Sequence, residues 1–134
     1  MILVDKQIAL LVETQNMIFS GYKPENLHCI SYDILLDSVI LPNRTNENKF
    51  IEKRSYNLRS GETVYVKSDI EIQMPVDCIG RIIERNSVMR MGLEVSGPCY
   101  QPGHKTRIFL RIHNITSNDV VLHKGQGIAQ IMVE

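Results

Sequence analysis

The chain has 134 residues, of which 43% are hydrophobic and 22% are charged, a composition typical of one globular domain. Its 15 basic residues balance its 15 acidic ones, so no net charge attracts nucleic acid or an anionic membrane, and neither is expected as a partner. The three cysteines lack a CxxC pair, which argues against a disulfide framework or a zinc site and fits a reducing cytoplasm. No signal-peptide pattern or membrane-spanning apolar run is visible, so we expect a cytoplasmic protein.

The N-terminal segment predicts one helix. Asp5 is followed by apolar residues at Ile8, Leu11 and Val12, a spacing that indicates a capped amphipathic helix of about three turns. The helix is expected to end before Gly21, since glycine commonly follows a helix terminus.

From residue 31 onward the pattern changes to short apolar or alternating runs, separated by turns that contain Gly, Pro or Asn. The polar stretch Asn43–Tyr56 has no periodicity and predicts a long loop or an irregular hairpin. Short strands spaced about ten residues apart predict an all-β sandwich, jelly roll or barrel, with residues 1–134 in a single domain. The predicted strands are Tyr32–Ile40, Thr63–Val66, Ile70–Ile72, Cys78–Ile83, Arg107–Ile112, Val120–Leu122 and Ile128–Val133.

One short run is the strongest candidate for an anion site. Arg85, Asn86, Ser87 and Arg90 follow a predicted strand within six residues. The planar fork of arginine suits phosphate oxygens, and the amide and hydroxyl add neutral donors. If the run forms a helical turn, its free N–H groups add to the site. A solvated surface helix with an Arg–Glu pair is the alternative, and the spacing alone leaves it open.

Two other features of the sequence suggest polar contacts, either with a ligand or within the fold. The run Lys124–Gln130 is a glycine turn that enters a strand, and its glutamines Gln126 and Gln130 could contact polar base or phosphate atoms, although such a turn is also an ordinary structural element. Asp33 is an acid in an apolar strand, where burial requires a hydrogen-bonded or ionic partner. The four histidines have no metal-ligand spacing, so no metal site is expected.

Taken in order, these segments resemble the dUTPase/dCTP deaminase superfamily, and dCTP deaminases most of all. The first eight residues resemble the deaminase start MILSDKDI, and the stretch from Pro24 to Ile34 resembles the motif ENLQPASYDL. Arg85–Leu93 resembles the phosphate-binding RSSLARLGL, and Lys124–Gln130 resembles PGQKIAQ. The resemblance implies a jelly-roll-like β-barrel of the dUTPase type, assembled as a homotrimer with nucleotide sites at the subunit interfaces. It implies phosphate-binding roles for Arg85, Asn86, Ser87, Arg90, Lys124 and Gln130.

The departures from this family concern its two catalytic carboxylates. The dUTPase aspartate of the hairpin GVIDSDYRG corresponds here to Gln101, and the deaminase glutamate of the strand HITLELSN corresponds to Arg111. An amide cannot act as a base, and a guanidinium with a pKa above ~12 cannot shuttle a proton near neutrality. Arg111 would instead add a cation to the pocket. The hairpin residues expected to face the base are Gly97, Pro98, Cys99, Tyr100 and Gln101.

We therefore expect a catalytically degenerate nucleotide-binding protein that acts as a sensor, a regulator or a sponge. No cofactor is expected, apart from Mg²⁺ that accompanies a nucleotide polyphosphate. Two alternatives remain open. One is an active dCTP deaminase or dUTPase whose acid is Glu84 or Glu94. The other is a structural or protein-binding trimer with an empty pocket, in which Arg85 and Arg90 pair with these glutamates.

Overall fold

The computed structural model describes residues 1–42, 45 and 49–134. Strands dominate it, and a single nine-residue helix lies near the N-terminus. A short 3-10 turn, Pro24–Asn26, precedes the second strand. In chain order the elements are α1 (Asp5–Glu13), β1 (Ile18–Phe19), β2 (Tyr32–Pro42), β3 (Phe50–Lys53), β4 (Ser55–Leu58), β5 (Thr63–Gln73), β6 (Gly80–Ile83), α2 (Asn86–Arg90), β7 (Leu93–Ser96), β8 (Cys99–Tyr100), β9 (Lys105–Asn114), β10 (Val120–His123) and β11 (Gly127–Val133).

The main sheet has the strand order β7-β9-β5-β2-β11-β6-β8, with β1 added to β5 and β3 added to β2. Strands β4 and β10 form a separate antiparallel pair. Only Gly97 and Pro98 join β7 to β8, although these strands lie at opposite ends of the order. The sheet must therefore curl until its two ends meet at this hairpin. The predicted all-β, barrel-like fold with one N-terminal helix is confirmed.

Alternation along the strands builds the core. In β5 and β9 every second side chain is buried, and the intervening ones face outward. Strand β11 runs through the middle of the sheet and is buried at Ile128, Ala129, Ile131 and Val133. Full burial of such an aliphatic side chain stabilises the fold by about 1.5–3 kcal/mol relative to its exposure.

A predicted interruption between two strands is a β-bulge within one strand. The separate strands predicted at Thr63–Val66 and Ile70–Ile72 form one strand, β5, whose register against β9 shifts between Lys67 and Glu71. The Ser68 hydroxyl is buried there and exchanges hydrogen bonds with the backbone of Ile70. The polar Lys67–Asp69 segment thus interrupts the apolar alternation without ending the strand.

Two further expectations change in detail. Helix α1 begins after Val4 instead of being capped by Asp5, and the Val4 N–H donates to Gln7 Oε1 at 2.9 Å. Asp5 lies in the first turn, where a negative charge interacts favourably with the helix dipole. The predicted loop Asn43–Tyr56 lies partly outside the described residues, and its second half forms β3 and the start of β4. None of the described helices is long and apolar enough to cross a membrane.

Candidate functional site

Three adjacent strands bring the main candidate residues together. Strand β11 lies between β2 and β6, and its Gln130 is opposite Asp33 on one side and opposite Ile83 on the other. Arg85 follows two residues after Ile83 and immediately precedes α2. Residues that are distant in the sequence therefore meet at one place because of strand register.

The Arg85 side chain is held along this surface by Asp33. Its Nε lies 3.6 Å from Asp33 Oδ1, and the Asp33 side chain is 11% exposed while that of Arg85 is 31% exposed. The guanidinium lies directly over Gly127, where an added Cβ would come within 1.6 Å of Nη1. Asp33 thus has the ionic partner that its burial requires. The partly exposed guanidinium remains open to an anion from the solvent side.

The second carboxylate oxygen of Asp33 has a partner that the sequence did not reveal. His28 Nε2 lies 2.8 Å from Asp33 Oδ2. An ionised carboxylate only accepts hydrogen bonds, so Nε2 is the donor whenever Asp33 is ionised. No spacing motif marks His28, and only the fold around Asp33 identifies it.

Gln130 supports the backbone beside Arg85. The Ser31 hydroxyl donates to Gln130 Oε1, and Gln130 Nε2 donates to the backbone oxygen of Glu84 at 3.2 Å. The amide therefore links β2 and β11 to the residue that precedes Arg85. Direct contact between Gln130 and a phosphate stays a prediction.

The helical turn expected in this region is present as α2. Its Val88 is buried, whereas Asn86, Ser87 and Arg90 are not. Across the described ranges, no ion pair holds Arg90. The turn therefore presents an amide, a hydroxyl and an uncompensated guanidinium to solvent beside Arg85.

The glutamates proposed as partners of these arginines do not have that role. Glu84 Oε1 accepts a hydrogen bond from the Val95 N–H at 3.2 Å, which fixes the chain that leaves α2. Glu94 is exposed on β7, opposite His113 of β9. The Arg–Glu surface pair considered from the sequence is thus wrong for Arg85, which pairs with Asp33.

Lys124 lies apart from this cluster. Its Nζ is 3.3 Å from Asp37 Oδ1, and Lys67 Nζ is 3.6 Å from Oδ2 of the same carboxylate. Asp37 is four residues beyond Asp33 in β2, roughly 13 Å along the strand. Burial opposes ionisation of Asp37, but the hydrogen bond and charge of Lys124, together with Lys67, lower the pKa of this carboxyl overall. Within one chain the structure does not group Lys124 with Arg85.

Arg111 lies in a different groove. It is exposed on β9, opposite Ser96 of β7 and Tyr65 of β5. The groove has a volume of about 360 Å³, and Gly97 and Pro98 form one of its walls. A second groove, also of about 360 Å³, lies on the other side of this hairpin and includes Cys99 among its lining residues. In the described part of the chain, no ion pair joins Arg111 to Asp33 or to any other acid.

Not all of the predicted hairpin faces these grooves. Tyr100 is only 3% exposed and is part of the core, and its burial raises the pKa of the phenol to about 12. The expectation that Tyr100 faces a bound base is therefore wrong for this chain. Gln101 is exposed directly after β8. Successive side chains of a strand point to opposite faces, so Cys99 lines a groove while Tyr100 points into the core.

The fold and the site define a class of protein: an all-β domain with a curled sheet, an arginine–serine turn after strand β6 and a separate groove that contains Arg111. A family model described as dCTP deaminase-like matches residues 2–134, so the chain belongs to this family. The dCTP deaminase of Wigglesworthia glossinidia brevipalpis is 32% identical over 94 residues, which are 69% of this chain and 48% of that protein. The chain spans about half the length of the curated relatives it matches.

Solved structures agree in fold. The 2'-deoxycytidine 5'-triphosphate deaminase from Agrobacterium tumefaciens matches 98% of this chain and 47% of its own, with a TM-score of 0.79 and 16% identity. A Staphylococcus bacteriophage 80alpha dUTPase, solved with dUpNHpp, matches 88% of this chain and 81% of its own, with a TM-score of 0.66 and 16% identity. Both likenesses concern the architecture of the sheet.

Proposed function

We propose that this protein binds a phosphorylated nucleotide through the turn formed by Arg85, Ser87 and Arg90, and that it neither deaminates nor hydrolyses it. The proposal rests on the guanidinium of Arg85, which pairs with Asp33 and lies beside the exposed donors of α2. Charge-assisted hydrogen bonds from arginine are the strong contacts by which proteins hold phosphate. The family supports this ligand class, since the phage dUTPase of similar fold was solved with a nucleotide analogue.

The absence of turnover is inferred from the residues available for proton transfer. Gln101 and Arg111 occupy the positions at which the resemblance places carboxylates, and neither side chain accepts a proton near neutrality. Asp33 is engaged by Arg85 and His28, and Glu84 is engaged by a backbone N–H. Glu94 is exposed on β7, two residue pairs from Arg111 in the β7–β9 register. Glu94 is therefore the carboxylate that the product analysis below tests.

A complete site requires more than one chain, in our proposal a homotrimer. Arg85 is on the turn after β6 and Arg111 is on β9, and no hydrogen bond or ion pair joins the two side chains in the described chain. Around the groove of Arg111 the aromatic side chains of Phe50, Tyr65 and Phe109 are exposed, and they line an adjoining depression of about 660 Å³. Exposed apolar patches of this kind commonly mark interfaces. We expect light scattering to give three times the mass of one chain.

Calorimetry with dUTP, dCTP and dUpNHpp, each with and without Mg²⁺, tests the binding proposal. Arg85→Ala and Arg90→Ala are each expected to weaken binding by about ten- to a hundredfold, because a charge-assisted contact contributes roughly 1.5–3 kcal/mol. Arg59→Ala, which removes an exposed arginine from the turn after β4, is the matched control and should bind as the parent does. Equal affinity of all three variants would show that these arginines are structural.

Product analysis tests the inferred lack of turnover separately. Micromolar protein incubated with dCTP or dUTP and Mg²⁺ should release neither ammonia nor pyrophosphate above a heat-inactivated control. Release of either product would overturn this part of the proposal. Loss of that release in Glu94→Gln would then identify the acid that the active protein uses.

A further inference from the structure

The carboxylate that orients Arg85 is shared with a histidine. Asp33 Oδ1 faces Arg85 Nε at 3.6 Å, and Asp33 Oδ2 faces His28 Nε2 at 2.8 Å. The His28 side chain is 53% exposed, whereas Asp33 is largely buried between the two basic side chains. A change of charge on the ring therefore acts directly on the group that holds Arg85.

We propose that His28 is a positioning residue for phosphate binding, whose protonation offsets the negative charge of Asp33 beside Arg85 and makes the site more attractive to anions. The inference rests on the proposed function. With neutral His28, the charges of Asp33 and Arg85 cancel. With protonated His28, the three groups carry one net positive charge, and Arg85 competes with a second cation for the carboxylate. Affinity for a phosphate anion then rises as the pH falls, and binding draws a proton onto the protein by linkage.

Histidine is the side chain suited to this role, because its charge ordinarily changes between pH 5 and 8. The Asp5 N–H is bonded to the Cys29 backbone oxygen, which brings the start of α1 beside His28. In the part of the chain that the structure describes, Asp33 is the acid in ion-pair contact with His28. Other charged groups on the segments joined to this region are Arg85, which pairs with Asp33, and its neighbour Glu84; Asp5 and Lys6 at the start of α1; and Lys23 and Glu25 in the segment that leads to His28.

The coupling can be measured without any ligand. In an NMR titration from pH 8 to 5.5, the Nε–H resonance of Arg85 should shift with the same midpoint as the ring resonances of His28. In His28→Gln, which keeps an N–H donor but does not titrate, the Arg85 resonance should stay constant over this range. An Arg85 signal that is insensitive to pH in the parent protein, or that moves equally in the variant, would overturn the proposal.

Binding of inorganic tripolyphosphate supplies the second test. The ligand itself titrates in this range, so the informative quantity is the ratio of affinities of the parent and His28→Gln at each pH. We expect this ratio to rise at least two- to fourfold from pH 8 to 5.5, the factor for one added charge acting on a single ligand charge roughly 10 Å away at an effective dielectric constant of about 40–80. His123→Gln, which removes an exposed histidine of β10, should behave as the parent.

The outcomes separate the two proposals. A constant ratio with clear tripolyphosphate binding would overturn the role of His28 and leave the nucleotide site intact. No binding of tripolyphosphate or of any nucleotide at any pH would overturn the proposed function and the role of His28 together.

Discussion

Replacing Gly127 by alanine should disable the site without unfolding the protein. The added Cβ would stand 1.6 Å from Arg85 Nη1 and 2.9 Å from its Cζ, so the guanidinium must leave its place over β11. The three heavy atoms nearest to the new methyl group all belong to this one flexible side chain. The backbone of Gly127 lies outside the left-handed region, so alanine adopts its conformation without strain.

The size of the effect follows from which contacts are lost. Stability should fall by about 1–2 kcal/mol, less than for a buried carboxylate left without any partner, because Asp33 keeps its contact with His28 and no cavity is created. Binding of dUpNHpp should weaken by roughly tenfold or more, the loss of one charge-assisted contact. A large loss of affinity with a small loss of stability is the signature of a displaced side chain.

Calorimetry and chemical denaturation of Gly127→Ala, Arg85→Ala and the double variant form the assay. Because both changes act through the same guanidinium, their effects on binding should not add, and the double variant should bind like Arg85→Ala alone. Additive losses would mean that Gly127 serves the ligand directly. An unfolding free energy lowered by about 3 kcal/mol or more would mean that the methyl group disturbs the strand itself.

Three further predictions test other parts of the structure. Burial raises the pKa of Tyr100 to about 12, above its unfolded value of about 10. The neutral phenol therefore contributes its full stabilisation of the folded state below pH 10, and this contribution is lost as the pH rises towards 12. In denaturation experiments Tyr100→Phe should lose less stability over this range than the parent. Asn114 is fully buried and bonded to Leu58, Thr116 and Asn118, so Asn114→Ala should lower the unfolding free energy by about 3 kcal/mol or more; an unchanged denaturation midpoint would contradict this. Arg111→Glu should bind nucleotide more weakly than Arg111→Ala in calorimetry, because it places a negative charge near the phosphates; the reverse order would remove Arg111 from the site.

Periodicity predicted the long strands because their burial alternates over many residues. It did not predict β7 and β8, of four and two residues, because so short a segment carries too little alternation to distinguish it from a turn. It also divided β5 at Lys67–Asp69, since a bulge puts polar residues where a regular strand would be apolar. These features depend on pairing with distant strands, which local sequence does not encode.

The same distinction between local features and contacts of distant residues applies to the candidate site. The helical turn at Arg85–Arg90 could be predicted because its residues are close in sequence and its geometry is local. The contact of Asp33 with Arg85 joins distant parts of the chain, and that with His28 depends on the loop that enters β2. The link predicted between Lys124 and the arginine turn is not seen within one chain, because Asp37 holds the lysine amine farther along β2.

The two arginines of the proposed site are held by different strands of the sheet. Arg85 depends on Asp33 and on the backbone of β11, which lie on the β2–β11–β6 side of the sheet. Arg111 projects from β9 and is opposite Ser96 and Tyr65, with no described contact to Asp33. A substitution at position 111 therefore changes the chemistry of its groove without disturbing the geometry of Arg85. If this separation holds, the stability effects of Arg85→Ala and Arg111→Ala add in the ligand-free protein, and the two residues couple only when a ligand is bound.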